Sequence, residues 1–162
     1  MRVARHRIAA GVILLGGSLT LVAVGRTMIQ DSPQVAAVRG QLGGKWVAAR
    51  VEATESNIAE GEAAARTAIE FSGHRVWFRG LVDADEAQGT YVIDPSTDPG
   101  KVDFKVDAGW ILGIYTLRGD TLTLCVNALK LPEQLGVPTR GRPDGLRQSP
   151  GRYLYVFQKA TP

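Results

Sequence analysis

Few side chains in this 162-residue chain belong to the types that carry out covalent or metal chemistry. His74 is the one histidine beyond the N-terminal basic segment, and Cys125 is the single cysteine. A Ser–His–carboxylate relay needs a nucleophile held on a strained turn. No Gly-x-Ser-x-Gly accompanies His74, which falls in the turn pattern Ser72-Gly73-His74. A zinc site draws on three or four His and Cys ligands, and one of each falls short. Carboxylates gather at Asp83, Asp85 and Glu86, and again at Asp94 and Asp98. Such groups can bind calcium, but the Asp-x-Asp-x-Asp-Gly loop is missing. They can also form an acid–base pair, yet nothing in the spacing selects one, and solvated loops are the simpler reading. Cys125 sits in an apolar stretch, where a buried, inert thiol is expected; a reactive one needs an exposed, electropositive setting. The residues therefore name no catalytic group, no metal ligand and no cofactor, and the chain is not expected to be an enzyme.

The aromatic side chains suggest binding instead. Trp46, Tyr91, Phe104 and Tyr115 are the candidate ligand-binding residues, large apolar bodies of which two carry a polar tip. Each has a plain alternative: Trp46 plugs the base of a core, and the other three fill it. Trp77 lies between Arg75 and Arg79 on one strand face, a spacing that allows a cation–π contact or a solvated face. Arg118-Gly119-Asp120 spells an integrin-binding tripeptide but reads as a hairpin turn.

These residues are placed by short strands. Residues 110–127 form two apolar runs around Arg118-Gly119-Asp120-Thr121, where Gly119 can adopt a positive φ and Asp120 can bond local backbone. Leu122, Leu124 and Val126 alternate with Thr121, Thr123, Cys125 and Asn127, the pattern of a half-buried antiparallel strand. Lys101 to Asp107 alternates most cleanly, with Val102, Phe104 and Val106 on one face and charges on the other. Further strands are expected over Lys45–Ala53, Thr67–Phe71, Arg75–Leu81, Gly89–Asp94 and Arg152–Lys159, and a short helix within 54–66. Residues 31–43 read as a linker with helical tendency, Ser32 capping and Pro33 starting a turn. The proline-rich segment 128–151 is long enough to cover an opening. About eight strands joined by short turns suit a small antiparallel barrel, occupying residues 44–160.

The net charge of +3 and the pI of 9.2 are local in origin. Arg2, Arg5 and Arg7 carry the whole excess: beyond residue 25, 16 basic residues face 16 acidic ones. No basic surface for nucleic acid is expected. Those arginines precede an apolar stretch, Ile8 to Val24, and the small residues Ala23-Val24-Gly25. Residues 1–30 therefore read as a hydrophobic leader helix, either a cleaved signal peptide or an uncleaved anchor. In both cases the rest is exported, to a periplasmic or extracytoplasmic location, and membrane contact runs only through residues 8–25 if they are retained.

Gly44-Lys45-Trp46 is similar to the Gly-x-Trp signature of lipocalins, in which the Trp packs at the closed end of the barrel. A wider set matches in order. It comprises Leu42-Gly43-Gly44-Lys45-Trp46, Gly89-Thr90-Tyr91-Val92-Ile93-Asp94-Pro95, Lys101-Val102-Asp103-Phe104, Leu112-Gly113-Ile114-Tyr115, Gly119 to Cys125, and Gly141-Arg142-Pro143. Across residues 42–159 the chain resembles an uncharacterised lipocalin-like domain family common in planctomycete bacteria, often on exported proteins. The resemblance implies a barrel-like fold and an extracytoplasmic setting, with no established activity. It departs at Lys159, where the family usually has Arg; Lys can cover the Trp ring without the planar guanidinium stack.

The expectation is thus an all-β, lipocalin-like antiparallel barrel of about eight strands, with a short helix behind a leader. It would bind a small apolar or amphipathic molecule under the 128–151 loop. The alternative is a cell-envelope interaction or structural module that has an envelope protein as partner and no ligand.

Overall fold

Alternation of apolar and polar residues produces eight strands that close on themselves. The computed structural model of the protein describes residues 31–53, 60–81, 84–107, 109–127, 141–147 and 149–161. The expectations for residues 1–30, for Asp83 and for residues 128–140 lie outside them. The elements are α1 (Pro33–Leu42), β1 (Gly44–Ala53), α2 (Glu60–Arg66), β2 (Ala68–Ser72), β3 (Arg75–Leu81), β4 (Ala84–Asp94), β5 (Gly100–Val106), β6 (Gly109–Arg118), β7 (Thr121–Asn127) and β8 (Arg152–Lys159). Each strand pairs antiparallel with the next, and β8 pairs with β1, giving a closed barrel with no free edge. The all-β antiparallel barrel expected from the sequence is the fold.

Side chains alternate across the barrel wall, as the period of two in a strand requires. Val102, Phe104 and Val106 of β5 point inward, with Leu122, Leu124 and Val126 of β7 and Tyr155 and Phe157 of β8. Burial of each such side chain stabilises the fold by about 1.5–3 kcal/mol. One strand breaks step: on β1 the pairing with β8 shifts between Ala48 and Arg50, so Ala49 is an extra residue. The bulge moves the inward positions from Trp46 and Ala48 to Val51.

One departure from the expected elements, and one helical tendency realised as a full helix, bear on function. β4 begins at Ala84 rather than Gly89, so Asp85 and Glu86 lie on a strand instead of in a loop. Their stretch lacks an apolar alternation; it is held by the ladder to β3, with Glu86 opposite Arg79 and Ala87 opposite Phe78. The segment read as a linker forms α1. Ser32 caps it by accepting from the Val35 amide, Pro33 opens it, and its last residue, Leu42, is buried in the barrel core. It lies at the end of the barrel where β1 begins, here termed the lower end. The turns at Gly73-His74 and Gly119-Asp120 and the loop 95–99 lie at the same end.

Gly119 takes φ +56°, the left-handed conformation of a tight hairpin turn. Gly89 is required for a different reason, because a Cβ there would sit 2.0 Å from the Lys105 carbonyl oxygen on β5. Backbone cannot yield as a side chain can. Gly89→Ala is expected to destabilise the fold by about 1–3 kcal/mol, read as a lower urea midpoint; an unchanged midpoint would show that β4 and β5 are not packed this closely.

Candidate functional site

The four residues expected to bind a ligand all face the barrel interior, and all are buried: Trp46, Tyr91, Phe104 and Tyr115. Their neighbours leave little room. Phe71 meets Tyr91 edge-on with ring centres 4.9 Å apart, and Phe78 meets Phe104 likewise at 6.2 Å. The Tyr115 ring lies over Gly100, so close that a Cβ at that glycine would come 2.7 Å from the ring. Among the described residues these side chains leave a cavity of about 10 Å³, walled by Leu42, Phe71, Val102, Phe104, Tyr115, Leu122 and Leu124. Only Phe104 and Tyr115 of the four line it. Its volume is that of about one water, its wall is apolar, and drug-sized ligands occupy about 300 Å³ or more.

Trp46 and Tyr91 serve the closure of the lower end. The indole Nε1 of Trp46 donates to the Leu42 carbonyl at 2.7 Å. Lys159, from the end of β8, lies 5.2 Å above the Trp46 ring centre and donates to the Gln41 carbonyl at 2.8 Å. The ring is thus covered by an ammonium. Arg39 anchors the last turn of α1. It bonds Asp31 through Nε (2.6 Å) and Nη2 (3.3 Å), donates to the Gly73 carbonyl at 3.3 Å, and lies 4.8 Å from the Tyr91 ring centre. Gln34 adds a bond to the Pro95 carbonyl. Sequence reasoning passed over Arg39; an arginine in the last turn of a short helix followed by Gly-Gly carries no local signal of a partner elsewhere in the chain.

The electrostatics at this end favour inert groups. The hydrogen bond from Arg39 holds the Asp31 carboxyl below the usual carboxylate range. Burial pushes the Tyr91 phenol up, an effect Arg39 partly offsets, and its hydroxyl has no hydrogen-bond partner of good geometry among the described residues. Burial, with Asp94 and Tyr91 adding to it, pushes Tyr115 up to about 12. Both phenols stay protonated near neutral pH, so neither is a nucleophile or base.

On the outside, residues 141–147 run along the barrel wall. Arg142 donates to the Gly113 and Val102 carbonyls at 2.6 and 3.3 Å, and its guanidinium grips both Asp103 carboxylate oxygens at 2.6 and 2.9 Å. Leu146 covers Ile114, Cys125 and Leu154. This stretch of the 128–151 segment, residues 141–147, therefore packs on the side wall and does not lie over an end. Cys125 is buried beneath it, its Sγ near the Arg147 carbonyl, and burial raises its thiol pKa.

The other residues singled out by type remain apart. His74 is exposed in its turn, and Gly119-Asp120 form a turn as expected. Trp77 is half-buried, and the cation–π pairs among the described residues do not include it. Among the described residues no three His, Cys, Asp or Glu side chains converge on one point, and no helix is long and apolar enough to cross a membrane.

Comparison with protein-family models, with curated proteins and with solved structures finds no match. The functional reading rests on the geometry.

A phenol harder to ionise in the folded than in the unfolded chain contributes stability below its ordinary value of 10.0 and loses it as pH rises towards 12. Stability is therefore expected to fall above pH 10 with a slope from Tyr115 of at most about 1.4 kcal/mol per pH unit. Tyr115→Phe removes that component of the slope. Equal slopes for the two proteins in urea titrations between pH 9 and 11.5 would mean that Tyr115 ionises freely in the fold.

Proposed function

We propose that the protein is an exported, lipocalin-like barrel that works through its outer surface, as a binding or structural module of the cell envelope. The observation that carries this reading is the close packing of the interior among the described residues. The inward aromatic residues pack against one another, the cavity among them has the volume of about one water, and α1 stops the lower end. With so little space among the described interior residues, the wall is left for recognition. The lipocalin-like assignment is supported by a Trp at the start of β1, a helix closing that end, and a cation from β8 over the indole. Export is supported by the arginines before the apolar stretch Ile8 to Val24.

A second reading, an internal small apolar ligand, draws on one feature. Leu42 of α1 forms part of the cavity wall, so movement of the helix would enlarge the space beside Phe104 and Tyr115. Native mass spectrometry of the protein recovered from its exported fraction without detergent separates the two. The expected result is the bare polypeptide mass, before and after incubation with a lipid extract. A reproducible added mass that is lost on denaturation would replace the outer-surface reading with the ligand one.

A further inference from the structure

The register of β3 to β6 sets four outward residues in one row: Arg75 stands opposite Thr90, Thr90 opposite Lys105, and Lys105 opposite Trp110. All four are exposed, and Trp110 is 54% accessible, an unusual state for so large an apolar side chain. Val92, at 60%, adjoins the row two residues beyond Thr90 on β4. Lys105 lies 5.9 Å from the Trp110 ring centre. Among the described residues, neither Arg75 nor Lys105 has a carboxylate within ion-pair distance, whereas Arg39, Lys101, Arg142 and Arg152 each have one.

We propose that this row is a binding platform for an anionic polysaccharide, a chain of sugar rings bearing carboxylates. The proposal rests on the outer-surface reading above and names its partner class. An exposed indole offers a flat apolar face to the C–H face of a pyranose, and Thr90 supplies a hydroxyl for its oxygens. The two cations, two strand spacings or about 10 Å apart, are placed for carboxylates on alternate sugar units. The surroundings favour a linear, sparsely charged chain over a broad anionic membrane. On one side Glu70, Glu86 and Asp107 bring negative charge, and on the other the Asp103–Arg142 pair is already neutralised. The further exposed cation on this face of β3, Arg79, stands opposite Glu86 and donates to the Arg66 carbonyl, away from the row. The two aliphatic and aromatic tips, Val92 and Trp110, expose too little apolar surface to anchor in lipid. An acidic peptide would use the cations but has no sugar face for the indole.

The test is binding of the full-length protein to polygalacturonate, with dextran, poly-glutamate and phosphatidylglycerol vesicles as comparators. Polygalacturonate alone is expected to bind. Trp110→Ala and Lys105→Gln should each weaken binding about tenfold, and Arg75→Gln by several fold, while Lys45→Gln, an exposed lysine outside the row, leaves it unchanged. Circular dichroism and urea midpoints establish that these surface variants stay folded. Absence of polygalacturonate binding, or binding indifferent to Trp110 and Lys105, overturns the proposal. So does equal binding to poly-glutamate that survives Trp110→Ala, which would indicate an acidic peptide, and so does vesicle binding that is lost in the same variants. Failure here with a bare native mass removes the polysaccharide and leaves the outer-surface reading standing. An internal small-molecule mass removes that reading itself.

Discussion

The hydrogen bond from the Trp46 indole to the Leu42 carbonyl joins the helix to the barrel. A fully buried indole with an unpaired N–H costs about 1–3 kcal/mol, and the carbonyls at a helix C-terminus have no partner within the helix. One bond answers both needs. Lys159 satisfies the next carbonyl, that of Gln41, and the Gly43 amide bonds that of Arg39. The last turn of α1 is thereby tied to β1 and to the end of β8, and Leu42 is driven into the core. Since Leu42 walls the cavity beside Phe104 and Tyr115, the position of the helix governs the size of that space.

This closure shifts attention from the inside of the barrel to its wall. Inside, burial keeps Tyr91 and Tyr115 protonated, and on the outer wall, beneath the 141–147 segment, it keeps Cys125 as a thiol. Outside, the wall is not uniform. The 141–147 segment occupies one side through Arg142 and Leu146, and β3 to β6 carry the exposed row that ends in Trp110. The glycines serve this division of labour. Gly89 and Gly113 let neighbouring backbones and side chains approach, and Gly100 makes room for the Tyr115 ring.

Much of the fold was legible because a period of two is a property of the chain itself. The β6–β7 hairpin, the alternation of β5 and the aromatic face of β8 are visible residue by residue. What failed to show depends on partners distant in sequence. Asp85 and Glu86 carry no strand pattern of their own and become strand through pairing with β3. Ala49 has nothing to mark it as a bulge, yet it moves the inward set on β1. The four candidate site residues were correctly read as inward-facing. The size of the space beside them has no signature in the sequence, because it depends on rotamers of Phe71 and Phe78 and on a leucine from a preceding helix. The row from Arg75 to Trp110 could not be seen at all, since it exists only once the registers of four strands are fixed.

The order of pairing also has a kinetic side. Seven of the eight ladders join strands that follow one another along the chain, and only the seam between β1 and β8 connects its two ends. Hairpins close within microseconds, whereas a distant pairing must first pay the entropy of a long loop. A chain emerging from the N-terminus forms its meander early but cannot complete the cylinder until β8 arrives. Until then β1 and β7 present open edges, on which a second chain can add as a strand. The seam residues Trp46, Val51, Tyr155 and Phe157 therefore govern how long a nascent molecule stays sticky, as well as how stable the finished one is.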